Sequence, residues 1–123
     1  MTPTVASTMS DPVLGVRADT SLRVALTTMA RARVRHLPVI AGDRCLGLLT
    51  ESDALWHTWA VGSAEDAVSR VMRAPAPAVD VGVPFADAAK AVDESGVDGV
   101  VVTDGGALVG MLTSADIVRA VAR

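Results

Sequence analysis

The strongest constraint on how this chain can fold is that it repeats itself. Displaced by 63 positions, residues 9–60 align without a gap on residues 72–123 and share 11 identities over 52 pairs. The identities are Met9/Met72, Pro12/Pro75, Val16/Val79, Ala25/Ala88, Val34/Val97, Val39/Val102, Gly42/Gly105, Gly47/Gly110, Leu49/Leu112, Thr50/Thr113 and Asp53/Asp116. They gather at glycines, a proline and the Thr-x-x-Asp pairs, the residues that punctuate secondary structure. In a chain of 123 residues this period leaves room for two copies of one supersecondary unit and little else.

Each copy reads in the same order. An extended piece (Val13 to Arg17; Pro77 to Val81) precedes a helix with apolar residues at helical spacing: Leu22, Ala25, Leu26 and Met29, matched by Phe85, Ala88, Ala89 and Val92. Thr20 is placed to cap the first helix, Pro84 suits the first turn of the second, and Gly96 suits a left-handed stop. Two strands around a glycine turn follow, Val34 to Ile40 with Cys45 to Leu49, and Val97 to Thr103 with Ala107 to Leu112. A last helix starts at Thr50 or Thr113, giving β-α-β-β-α twice.

The expected fold is therefore α+β. Two tandem repeats, 1–60 with a short N-terminal helix and 61–123 with a linker helix over 63–72, pack sheet to sheet into one pseudo-two-fold module. Repeats of about 50 residues bury too little surface to stand alone. His57 to Gly62 reads as the linker between them, and Ser63-Ala64-Glu65-Asp66 as a capping box opening the linker helix. Its counterpart ahead of Met9 is Thr2-Pro3-Thr4-Val5.

Composition removes several function classes. Half the residues are hydrophobic, but only one Phe, two Trp and no Tyr are present, so there is no aromatic platform for stacking bases. A net charge of −3 supplies no footprint for a phosphate backbone, and nucleic acid is not an expected partner. Charged residues interrupt every apolar run, and no basic n-region opens the chain, so neither a membrane span nor a signal peptide is expected. The single cysteine, Cys45, suits a reducing, cytoplasmic setting.

The sharpest chemical signal is Gly47-Leu48-Leu49-Thr50-Glu51-Ser52-Asp53, echoed as Gly110-Met111-Leu112-Thr113-Ser114-Ala115-Asp116. A Thr and an Asp three apart at a helix start form, by themselves, a capping box worth about 1 kcal/mol. Their repetition behind a glycine-bearing strand points further.

With these motifs in hand, the chain resembles the cystathionine-β-synthase (CBS) domains that occur in tandem pairs, also called Bateman modules. The resemblance runs from Met9 to Ala120 and rests on four features in order: Asp19-Thr20-Ser21-Leu22-Arg23-Val24-Ala25, Arg35-His36-Leu37-Pro38-Val39, Gly42-Asp43, and Gly47 to Asp53. The second copy keeps the last two and departs earlier, with Gly82 for Asp19, Asp98-Gly99 for Arg35-His36 and Val101 for Pro38.

The resemblance implies a nucleoside site in the cleft between repeats, with the carboxylate accepting from the ribose 2′- and 3′-hydroxyls, the threonine contacting ribose or phosphate, and basic residues facing phosphates. Two vicinal hydroxyls matched to one carboxylate is sound chemistry for a ribose clamp. Carried over, one site combines Thr50, Asp53, Leu48, Arg35 and His36 with Met72, Ala76, Pro77 and Val97. The second combines Thr113, Asp116 and Met111 with Met9, Val13, Leu14 and Val34, but places Asp98 where phosphate would sit and repels it. The first is thus the expected nucleotide site; the second is expected to be empty or to take an uncharged adenosyl group.

The implied ligand is AMP, ADP, ATP, NAD or S-adenosylmethionine, and the implied function is regulatory, with occupancy passed to another protein. The competing reading is a ligand-independent dimerisation module whose Thr/Asp pairs only cap helices. No nucleophile, base and orienting acid stand together, so no enzyme is expected. His36 and His57 lack Cys or carboxylate neighbours at ligand spacing, which leaves no metal site, and Cys45 reads as packed. Trp56 and Trp59 share a helix face with Leu55, and either enter the core or form a homodimer interface, the latter being what CBS pairs commonly do.

Overall fold

The structure is a computed structural model and describes residues 2–11 and 13–122. Pro12, the repeat partner of Pro75, lies outside the described residues. Chain order is α1 (Val5–Thr8), β1 (Val16–Arg17), α2 (Leu22–Ala32), β2 (His36–Ala41), β3 (Arg44–Thr50), α3 (Glu51–Val61), a 3-10 turn (Val68–Arg70), β4 (Ala78–Asp80), α4 (Phe85–Glu94), β5 (Gly99–Asp104), β6 (Ala107–Thr113) and α5 (Ser114–Val121). The expected β-α-β-β-α order is present twice, and the fold is α+β with two three-stranded sheets.

The compact units are offset from the sequence repeats: one is Leu14–Ala76, the other Met1–Val13 with Pro77–Arg123. They cut the chain ahead of each β1-type strand and not at 60/61, because each lead segment is held by a sheet. In the first unit, Val68 is buried with Leu22, Met29, Leu37, Val39 and Leu49. In the second, Val5 joins Ala88, Val92, Val100, Val102 and Leu112. Each fully buried aliphatic side chain contributes roughly 1.5–3 kcal/mol, so these two clusters carry their units.

Within each unit a parallel pair and an antiparallel hairpin make the sheet, in the orders β1-β2-β3 and β4-β5-β6. Both hairpins carry a register shift near the turn, between Val39 and Ile40 and between Val102 and Thr103. The parallel pairing is one residue shorter in the first unit. Val101 donates its amide to Pro77 O at 2.9 Å, and its repeat equivalent, Pro38, has no amide to give.

Three expectations fail locally. Ser21, not Thr20, caps α2, its hydroxyl accepting from the Val24 amide, while the Thr20 carbonyl accepts from Val68 N at 2.8 Å. The expected linker His57 to Gly62 is the last part of α3, which stops only where Gly62 turns left-handed at φ +76. No helix spans 63–72, only the 3-10 turn; Leu22 N donates to Asp66 O and Arg23 N to Ala64 O, so that stretch is drawn onto the start of α2. Helices α1, α3 and α5 do begin on threonine caps.

At the end of α2, Arg33 adopts the left-handed conformation (φ +57) that its repeat equivalent, Gly96, adopts without a Cβ (φ +74). A left-handed non-glycine residue costs about 1–2 kcal/mol, partly offset by the extra chain entropy of glycine. Arg33→Gly is therefore expected to raise unfolding stability by up to about 1 kcal/mol in urea titrations, whereas Arg33→Ala should leave it nearly unchanged.

Candidate functional site

In the unit Leu14–Ala76, the antiparallel β2–β3 pairing sets the start of one strand against the end of the other. His36 lies in register with Thr50, Leu37 with Leu49 and Pro38 with Leu48. Arg35 precedes His36 and is exposed, its carbonyl accepting from the Glu51 amide at 2.9 Å. Arg35, His36, Thr50 and Asp53 therefore share one end of the hairpin. Thr50 is buried and caps α3, Oγ1 accepting from Asp53 N at 3.1 Å.

Asp53 departs from the expected box. Its carboxylate does not return to the Thr50 amide but faces Arg73, whose Nε donates to Oδ2 at 2.9 Å and Nη2 to Oδ1 at 3.3 Å. Arg73 is placed by its backbone: its amide donates to Leu48 O and its carbonyl accepts from Leu48 N, each at 2.9 Å. Gly47 makes that approach possible. A Cβ there would lie 2.7 Å from Met72 Sδ and 2.8 Å from Arg73 O, both too close to exist. Leu48 and Met72 lie in the same unit as Thr50 and Asp53, with Ala76 half-buried at its end. Pro77 and Val97, expected in the same site, belong to the other unit.

The second unit repeats the geometry with a different outcome. Ser10 exchanges both backbone hydrogen bonds with Met111, and Met9 packs its thioether on Gly110. Here the capping box is complete. Asp116 Oδ2 accepts from the Thr113 amide at 2.9 Å and its hydroxyl at 3.1 Å, and Oδ1 accepts from Arg119. The Asp116 side chain is 3% exposed against 24% for Asp53. Asp98 is exposed and left-handed (φ +60), with Oδ1 accepting from Ser114 Oγ at 3.4 Å. Met9, Val13, Met111, Thr113 and Asp116 share this unit; Leu14 and Val34 do not.

Sequence reasoning missed Arg73 altogether. A usable signal lies in the repeat: positions 10 and 73 read Ser and Arg, while 56 and 119 read Trp and Arg. Each aspartate receives one arginine, but from a different element. Also missed was His57, whose Nε2 meets Asp66 Oδ2 at 2.7 Å, with Arg70 Nη1 3.5 Å from Oδ1. The His57 hydrogen bond, with help from the Arg70 charge, holds the Asp66 carboxyl below its ordinary value. Cys45 is half-buried and donates to Gly47 O at 3.2 Å; burial raises its pKa, as a packed thiol requires. Trp56 and Trp59 are 75% and 84% exposed, which removes the core reading for both. Among the described residues no helix is long and apolar enough to cross a membrane. Nor, among them, do three or more of His, Cys, Asp and Glu gather to hold a metal ion.

Paired Thr-x-x-Asp turns stand at the ends of two glycine-bearing hairpins, on two repeats of one β-α-β-β-α unit. The sequence model of the CBS domain matches residues 5–57 and 68–123, and the chain belongs to that family. Hypoxic Response Protein I, solved with two coordinated zinc ions, is 27% identical, covering 95% of this chain and 98% of its own with a TM-score of 0.81. CBSX2, a CBS-pair protein from Arabidopsis thaliana, solved in complex with AMP, is 26% identical over 97% of this chain and 96% of its own, at a TM-score of 0.84. A CBS domain pair solved with 5′-methylthioadenosine and S-adenosyl-L-methionine shares the fold, at 21% identity, a TM-score of 0.87 and coverage of 99% and 98%. No curated protein sequence matches the chain.

The two aspartates should separate in stability measurements. Asp116→Ala leaves the part-buried Thr113 amide and hydroxyl without their acceptor and is expected to cost about 2 kcal/mol in urea unfolding. Asp53→Ala removes only a part-exposed ion pair and should cost under about 1 kcal/mol. Equal losses would contradict the assignment of Asp116 to the cap.

Proposed function

We propose that this protein is a regulatory, non-catalytic CBS pair that binds an adenosine-containing ligand, with the Asp53 carboxylate as the ribose acceptor. The observation that carries the reading is the contrast between the two aspartates. Asp116 has both oxygens engaged by its own helix end, whereas Asp53 turns both outward from a cap that does not need them. A carboxylate presenting two oxygens is what a vicinal diol requires.

Arg35 and His36, at the same end of the hairpin, favour a phosphorylated ligand there. AMP, ADP, ATP, NAD and S-adenosylmethionine all carry the adenosyl group, and AMP in CBSX2 and S-adenosyl-L-methionine in another CBS pair support that class. The site around Thr113 and Asp116 takes ligand weakly or not at all. Asp53→Ala should weaken AMP binding about 10- to 100-fold, the range for hydrogen bonds to a charged group, and Arg35→Ala should weaken AMP more than adenosine. Isothermal titration calorimetry measures both, and unchanged AMP affinity in Asp53→Ala would refute the site.

The protein acts in the cytoplasm as a homodimer that passes ligand occupancy to another protein. Leu55, Trp56 and Trp59 on α3, and Val118 and Val121 on α5, the last helix of each repeat, are exposed apolar side chains. A second copy would remove each set from water through self-complementary contacts. A ligand-independent dimerisation module is the second reading, favoured by the closed cap at Asp116 and by these exposed apolar residues. Light scattering should give about 25 kDa, twice the 12.6 kDa chain, and the Trp56→Glu/Trp59→Glu double variant should give the monomer mass. A monomeric wild type would remove the dimer from either reading.

A further inference from the structure

We propose that Arg73 is a latch on the nucleoside site, occupying the two Asp53 oxygens that a ligand's vicinal diol needs, so that binding and release of Arg73 are one event. This rests on the reading of Asp53 as the ribose acceptor and adds how that acceptor is controlled.

Three observations carry it. The Arg73 fork already engages both oxygens, at 2.9 and 3.3 Å, so a diol that approaches the same two-oxygen edge meets the guanidinium there. The competition is local, because the backbone of Arg73 is fixed on Leu48 by two hydrogen bonds and Met72 is seated on Gly47; only the side chain has to move. The move is cheap, because the Arg73 side chain is 50% exposed and a part-exposed ion pair is weak. The other unit shows what an unlatched arrangement would lack. Its equivalent of Arg73 is Ser10, and Asp116 is held by Arg119 on its own helix, in a box with no exposed carboxylate to release.

A latch of this kind selects among ligands. An uncharged nucleoside displaces the guanidinium and leaves it unpaired in water, while a phosphorylated nucleoside brings an anion to a site where a mobile cation has just been freed. Arg73 therefore lowers the affinity for adenosine more than that for AMP.

The test is calorimetric titration of adenosine and AMP into wild type, Arg73→Ala, Asp53→Ala and the double variant, at low and high NaCl. Arg73→Ala should bind adenosine about 3- to 5-fold more tightly than wild type, and the preference for AMP over adenosine should fall. Raising NaCl from about 0.02 to 0.5 M should tighten adenosine binding to wild type by screening the bridge, and leave Arg73→Ala unaffected. If Arg73→Ala fails to fold, Arg73→Met keeps the stem, removes the charge and should give the same result. Adenosine affinity unchanged or weakened in the Arg73 variants, while Asp53→Ala still weakens it, would overturn the latch and leave the ribose site standing. Adenosine affinity unchanged in Asp53→Ala, or binding absent from wild type and both Arg73 variants, would overturn the site and the latch together. Binding seen only once Arg73 is replaced would be the latch at its strongest.

Discussion

A glycine with no room for a Cβ holds this arrangement together. At Gly47 and again at Gly110 a methionine thioether packs on the bare backbone of the hairpin, and the next residue exchanges two hydrogen bonds with the strand. That contact docks an irregular segment on the edge of β3 or β6 as an extra short rung of sheet. The Asp53–Arg73 pair of the first unit follows from it, because the docked residue is Arg73 and the strand it docks on leads two residues later into Thr50 and α3. Filling Gly47 with even one methyl group would push the segment away and with it the partner of Asp53.

The same scaffold has been given two electrostatic solutions. Both aspartates sit three residues into a helix cap, and both receive one guanidinium. Asp116 receives it from Arg119 at i+3, inside a closed box that leaves it buried; Asp53 receives it from a side chain 20 residues away that is anchored elsewhere. A contact made within one helix turn persists as long as the helix does. A contact made across segments can open while the fold stays intact, which is the property a ligand-responsive site needs.

Much of this was legible in the sequence, for a physical reason: period and punctuation are local. The 63-residue repeat, the strand pairs about Gly42 and Gly105, and the threonine caps at Thr50 and Thr113 depend on residues near one another in the chain, and all appear where expected. What was not legible depends on tertiary competition. Nothing local says that α3 continues through His57, since its apolar residues Leu55, Trp56 and Trp59 lie on the exposed side, and the pairing of His57 with Asp66 is visible only in three dimensions. The helix expected over 63–72 gives way because Ala64 and Asp66 spend their carbonyls on the α2 amides of Arg23 and Leu22. Arg73 carried no motif, and only its difference from Ser10 at the equivalent position sets it apart.

The proposed function stands on Asp53 exchanging an internal partner for a ligand. A crystal structure of the protein grown with AMP tests this most directly. The account predicts the ribose 2′- and 3′-hydroxyls on the two Asp53 oxygens, the Arg73 guanidinium lifted off them with its backbone still paired to Leu48, and Asp116 unchanged in its cap. AMP bound with its ribose away from Asp53, and the Arg73 bridge intact, would contradict it.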